Sequence, residues 1–303
     1  MANQQYAHKF ELGVPFHTYL EDYAPKWEEL AWLRRDENGI LEVQLHWGEG
    51  PCKFSESVHS GLVGLALDIQ RDPENECIIL TGTGADFLNE PDRDEALAEG
   101  QKQYPHSATY DWWWMNQTRI FNAFIDIPVP VIAAINGGCS FHPEIWLMSD
   151  YIFVSPDTYY VDKHVHGSHC IPADGLNDLV GYIVGRNRVK GIFLNGTTID
   201  AQKGIDLGLW HEIVPKEELM DRARRFAKST ILCLEPMHRR MWREVFVQPF
   251  RELMAKSVRA SLAQEAYAAE LCVVKPGENR SEERRVGKEC RSRWSPYHLK
   301  KRG

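Results

Sequence analysis

Up to about residue 215, short apolar runs bounded by turn residues alternate with stretches that repeat at helical spacing. Ile40-Leu-Glu-Val-Gln-Leu-His-Trp47 alternates apolar and polar side chains, as a half-buried strand does. Apolar residues at helical spacing follow from Leu62 to Ile69, with Ser60 as candidate cap. Arg71-Asp-Pro-Glu-Asn75 reads as a turn and Cys77-Ile-Ile-Leu80 as a fully buried strand. Thr118 to Ile125 is predicted helical, Val129 to Ile135 a strand, and Tyr151 to Val154 another, with a short helix opening at Pro143 between them. This order predicts an α/β fold whose sheet is mainly parallel and covered by helices. Beyond Asp174 the pattern is almost entirely helical, with a start at Thr198-Ile-Asp-Ala-Gln202, a stop at Gly208, and amphipathic segments over 216–229 and roughly 238–272. The Ala-rich face of 253–271 needs a partner surface, from its own domain or from another subunit.

The end of the chain departs from this pattern. Residues 280–303 hold nine Lys/Arg against three Glu and follow the breaker Pro276-Gly277. The string from Arg280 to His298 resembles the translation of a short-read sequencing adapter, so 280–303 is expected to be a non-native, disordered tail and the source environmental DNA. Without it, 26 basic and 40 acidic residues leave a net charge of -14. Such a body repels a phosphate backbone, which argues against nucleic-acid partners. No run approaches the roughly 20 apolar residues that span a bilayer, and Met1 to His8 lacks the features of a secretory signal. Seven scattered cysteines, an odd number without a CxxC pair, fit reduced thiols. The expectation is a cytoplasmic protein without membrane partners, divided into an extension (1–30), a core (31–215), a helical region (216–279) and the tail.

Three segments then carry a resemblance: Leu80-Thr-Gly-Thr-Gly-Ala-Asp-Phe87, Val129-Pro-Val-Ile-Ala-Ala-Ile-Asn-Gly137, and Ile171-Pro-Ala-Asp-Gly175 followed by Gly185-Arg-Asn-Arg188. In order and spacing they resemble the crotonase (enoyl-CoA hydratase/isomerase) superfamily. The resemblance implies a spiral of ββα units with a C-terminal helical oligomerisation region that builds homotrimers or dimers of trimers. Ordinary members hold a thioester oxyanion with two backbone N–H groups. Here the first donor position falls on Pro91, which has no N–H, and the second falls in Ser140-Phe-His-Pro-Glu-Ile145, which lacks the usual glycine run. Asn89-Glu90, His142-Pro-Glu-Ile145, Pro172-Ala-Asp-Gly175 and Gln264-Glu-Ala266 instead resemble β-diketone hydrolases of the 6-oxocamphor hydrolase type. Those enzymes add water across a C–C bond between two carbonyls, a retro-Claisen reaction without a cofactor. Partners are then a small diketone and water.

That chemistry requires a base for water, a donor for the oxyanion or enolate, and a proton for the departing carbon. The resemblance assigns His142 to the enolate, and Pro143 as a first helical residue puts it beside the positive end of a helix. Asp174 is a natural helix cap, and the resemblance makes it the orienter of a catalytic histidine. The aligned position is Val165, between His164 and His166; His166 is narrowly favoured, because neighbours in an extended segment point oppositely. Glu265 is implied to assist proton transfer. His59, Phe54, Glu144 and Trp113 are candidate substrate contacts, Trp113 within Trp112-Trp-Trp114, which is equally a packing feature. The spacing His164-Val-His-Gly-Ser-His169 also has the form of a zinc ligand set, but Ser168 stands where the usual aspartate would. Two alternatives remain: an acyl-CoA hydratase or isomerase, and a catalytically inactive scaffold.

Overall fold

The computed structural model describes residues 16–92, 94, 118–168 and 170–272. Its centre is a six-stranded sheet in the order β1-β2-β4-β6-β7-β10. The strands are β1 (Ala31–Arg35), β2 (Ile40–Leu45), β4 (Cys77–Gly82), β6 (Val131–Ile135), β7 (Tyr151–Val154) and β10 (Glu212–Ile213). β1 and β2 pair antiparallel through a turn at Asp36–Gly39, and every other pair is parallel. All six residues of β4 and all five of β6 are buried, as apolar runs covered on both faces require. Each such Ile or Leu contributes about 1.5–3 kcal/mol by leaving water.

A second, smaller layer builds the site. β3 (Cys52–Phe54) pairs with β5 (Leu88–Pro91), Leu88 bridges to Cys139, Cys139 bridges to Tyr160, and β8 (Tyr159–Tyr160) pairs with β9 (Ile199–Asp200). This line brings Phe54, Asn89, residues 139–142 and Tyr160 side by side. The two layers meet where Asn136-Gly137 crosses the loop after β4. Asn136 accepts from the Gly82 N–H and donates to the Gly84 and Asp86 carbonyls, 3.1–3.2 Å away. A Cβ on Gly137 would lie 1.7 Å from the Ala85 carbonyl oxygen, so only glycine fits there.

The expected elements form, with shifted edges. The helix Glu56–Gln70 starts earlier than expected; Ser55, not Ser60, caps it by accepting from the Val58 N–H at 3.1 Å. The earlier start places His59 on the buried face with Val58, Leu62 and Val63. Asp200 caps the helix Ala201–Leu207, which stops at Gly208 (φ 74°). Of the expected extension, residues 16–30 pack on the core: Tyr23 donates to Asp72 at 2.9 Å, and the Phe16 carbonyl accepts from Arg71. Trp113 and the basic tail lie outside the described residues. Among the described residues, no helix is long and apolar enough to cross a membrane.

The C-terminal region comprises Pro236–Leu253 and Arg259–Cys272, joined by one π turn over Met254–Val258. Arg243 anchors it: its buried guanidinium donates to the carbonyls of Phe124, Ile127 and Met148 and to Asp150 at 3.1 Å. The last helix carries Glu265 back onto the core, where its Oε2 accepts from the Ala173 N–H at 2.8 Å.

Candidate active site

Side chains from separate segments converge beside β5 and β8, where Glu265 of the last helix reaches Ala173 and His164. The chain turns sharply after Cys139. The Ser140 and Phe141 N–H groups both donate to the Leu88 carbonyl, and His142 then adopts φ 47°, the only positive φ at a non-glycine residue among those described. Such strain persists only where its surroundings enforce it, and it turns a side chain where an ordinary backbone would not. His142 is buried, its ring 4.6 Å from that of His59 and 5.2 Å from that of Phe54, which stacks on Phe141. The helix after it, Glu144–Leu147, has only four residues. Its dipole is therefore slight, and the expected helix-end effect is replaced by another: burial lowers the His142 pKa to about 4, with positive charge on His164 adding to the shift and Asp174 opposing it.

His142 Nδ1 lies 2.5 Å from Glu144 Oε1. Glu144 is fully buried, and its other oxygen has no hydrogen-bond partner among the described residues. Burial raises its pKa to about 8. A neutral Glu144 donates its O–H to Nδ1, which leaves the imidazole proton on Nε2, free to donate elsewhere. Between pH 4.5 and 8 the native state holds this proton and the unfolded state does not, so stability from this group is lost as pH rises through that window. Glu144→Gln is expected to flatten the decline in urea midpoint between about pH 6.5 and 8; a variant that keeps the wild-type slope would place the proton elsewhere.

The second cluster surrounds His164, in a π turn over His164–Ser168. Its Nε2 is 3.8 Å from Asp174 Oδ2 and 3.8 Å from Glu265 Oε1. Its Nδ1 donates to Asp162 Oδ2 at 2.8 Å, and the same carboxylate accepts from the His164 N–H through Oδ1 at 3.1 Å. Burial disfavours charge on this ring, but the Asp162 bond and the charges of Asp174, Asp162 and Glu265 outweigh it and raise the pKa to about 10. Burial also raises Asp174 and Glu265, each further by a neighbouring carboxylate and each opposed by His164. Asp174 keeps its expected local bond too, accepting from the Leu176 N–H at 3.1 Å.

The structure thus gathers His142, Glu144, His59, Phe54, His164, Asp174 and Glu265. It separates His166, whose ring is exposed and bonded through Nε2 to the Leu194 carbonyl at 2.8 Å, so the preference for His166 over His164 reverses. The π turn begins at His164, whose ring meets Asp162, Asp174 and Glu265. Asp174 does not hold Nδ1, as expected of an orienter; Asp162 does, and nothing in its motif context singled it out. Of the spaced histidines, His164 and His166 part company, and His169 lies outside the described residues. Among the described residues, His164, Asp174 and Glu265 offer one ligand atom each within 4.8 Å of one another, a geometry able to hold a cation or a water.

A family model described as enoyl-CoA hydratase/isomerase matches residues 35–277. The chain is 24% identical over 201 residues to a 1,2-epoxyphenylacetyl-CoA isomerase of Escherichia coli, covering 65% of this chain and 74% of that one. Among solved structures, a β-diketone hydrolase from the cyanobacterium Anabaena, bound to (S)-3-oxocyclohexyl acetic acid, superposes with a TM-score of 0.74 at 28% identity, covering 85% of this chain and 98% of that one. An enoyl-CoA hydratase/isomerase from Mycobacterium paratuberculosis matches with a TM-score of 0.67 at 21% identity, over 80% and 94% of the two chains, a likeness of fold.

Proposed function

Because the chain belongs to the enoyl-CoA hydratase/isomerase family and resembles a solved β-diketone hydrolase at 28% identity, we propose that it is a β-diketone hydrolase that cleaves a cyclic 1,3-diketone to a keto acid without a cofactor. The observation that carries this reading is the pair of differently tuned imidazoles, His142 kept neutral by burial and His164 kept charged by three carboxylates. Water held among His164 Nε2–H, Asp174 and Glu265 gives its proton to the Asp174 carboxylate, since the charged His164 ring has no lone pair to accept it, and attacks one carbonyl. The C–C bond to the central carbon then breaks. The electron pair passes to the second carbonyl as an enolate, which receives a hydrogen bond from His142 Nε2–H. Glu265 returns a proton to the carbon, and the attacked carbonyl leaves as a carboxylic acid.

The competing thioester reading loses one expected donor and finds two others engaged. Pro91, paired with Phe54 in β5, has no N–H, and the Ser140 and Phe141 N–H groups are spent on the Leu88 carbonyl. Titration with an acyl-CoA is the discriminating test: the expected result is no saturable binding, whereas micromolar binding would favour a hydratase or isomerase. The helix Pro236–Leu253 exposes Met237, Met241, Trp242, Val245 and Phe246 along one side, which supports a homotrimer or dimer of trimers.

A further inference from the structure

Two carboxylates flank the His164 ring on opposite sides, and only one of them bonds to it. Asp162 is buried and fixed twice, by the His164 N–H on Oδ1 and by Nδ1–H on Oδ2, so backbone and ring of the same residue are clamped to one side chain. Asp174 faces Nε2 at 3.8 Å, beyond hydrogen-bond reach, and its Oδ1 is engaged by the Leu176 N–H. We infer that Asp162 is the positioning residue of the imidazole ring that orients the site's water: it holds the proton on Nδ1, aims Nε2 at Asp174 and Glu265, and frees the Asp174 carboxylate to face water and take its proton.

The geometry follows from local chain chemistry. Asp162 and His164 are two residues apart, and an aspartate that accepts from the N–H two residues on forms a compact Asx turn. That turn leads directly into the π turn, whose first residue, His164, is turned toward Asp174 and Glu265. A partner on Nδ1 turns Nε2 toward Asp174 and Glu265, as in any site where a carboxylate fixes one imidazole nitrogen and the other is aimed at the chemistry. Among the described residues, ionisable groups face this ring from several segments: Asp162 beside β8, Asp174 from the turn before Leu176–Val184, Glu265 from the last helix, and His142 and Glu144 from the short helix and the turn before it. Asp162 is the one of these bonded to it.

The catalytic consequence rests on the hydrolase reading; the orientation itself does not. The test is nitrogen NMR of the full chain labelled at histidine, with the His164 signals assigned by their loss in His164→Gln. In wild type, His164 is expected to keep a proton on Nδ1 throughout pH 5 to 9. Asp162→Asn is expected to lower the His164 titration by at least about one pH unit, and Asp174→Asn to leave the proton on Nδ1. Diketone turnover in Asp162→Asn is expected to fall about 30-fold or more in kcat with KM nearly unchanged. An Nδ1 without its proton in wild type would overturn the inference even if the variants failed to fold. So would an unshifted titration in Asp162→Asn, or a larger shift in Asp174→Asn. If the NMR results hold and no diketone is cleaved, the hydrolase reading fails while the Asp162 assignment stands.

Discussion

Replacing His142 by alanine is expected to lower diketone cleavage by about 10²- to 10³-fold, beside a lower urea midpoint because buried Glu144 loses its partner. The loss falls on kcat, because a donor aimed at the enolate strengthens only as charge develops there. Its partner Glu144 and its neighbours His59 and Phe54 form a buried wall, so no bulk water replaces the missing N–H. His142→Asn is expected to recover part of the rate, since asparagine tolerates the φ of 47° and retains a donor. Steady-state kinetics on the two variants reads this directly. Equal kcat in wild type and His142→Ala would remove the enolate donor from the mechanism.

A second large effect concerns the attachment of the helical region. Arg243→Ala is expected to destabilise the protein by about 3–5 kcal/mol, because it strips the partner from buried Asp150 and leaves three carbonyls unserved. Asp150 retains its bond from the Val131 N–H at 2.8 Å, but its charge is then uncompensated in the interior. Adding Asp150→Asn to Arg243→Ala is expected to restore part of the stability by removing that charge. Since Pro236–Leu253 leads into the helix carrying Glu265, the single variant is also expected to lose activity at temperatures where its core still holds. Urea unfolding followed by fluorescence measures the first effect; a midpoint unchanged from wild type would show that the anchor is not needed.

Much of the fold was legible because its signals are local. Cys77-Ile-Ile-Leu80 and Val131 to Ile135 are apolar without interruption since both sheet faces are covered, and Asp200 and Gly208 bracket their helix by ordinary capping chemistry. The Ser55 cap was missed because Ser60 has the same local form; tertiary burial of Val58 and His59 decides between them. The site was legible as a set of motifs, whose residues the fold brings together from β3 to the last helix. Two of its features were not. The choice between His164 and His166 turns on a π turn, and alternation along an extended segment cannot anticipate one. Asp162 was silent because its role is relational: an aspartate two residues before a histidine has no distinctive pattern until the ring is seen folded back onto it. The helix-end explanation for His142 also fell, since desolvation in the interior does what a four-residue helix cannot.

The most direct test of the account is incubation of purified protein with a bicyclic 1,3-diketone in ¹⁸O-labelled water, with EDTA present and no CoA, followed by mass spectrometry. The expected product is heavier than the substrate by one labelled water, carries the label in its new carboxyl group, and disappears with His164→Gln. Unchanged diketone across mono- and bicyclic substrates, together with hydration of an enoyl-CoA by the same preparation, would contradict it.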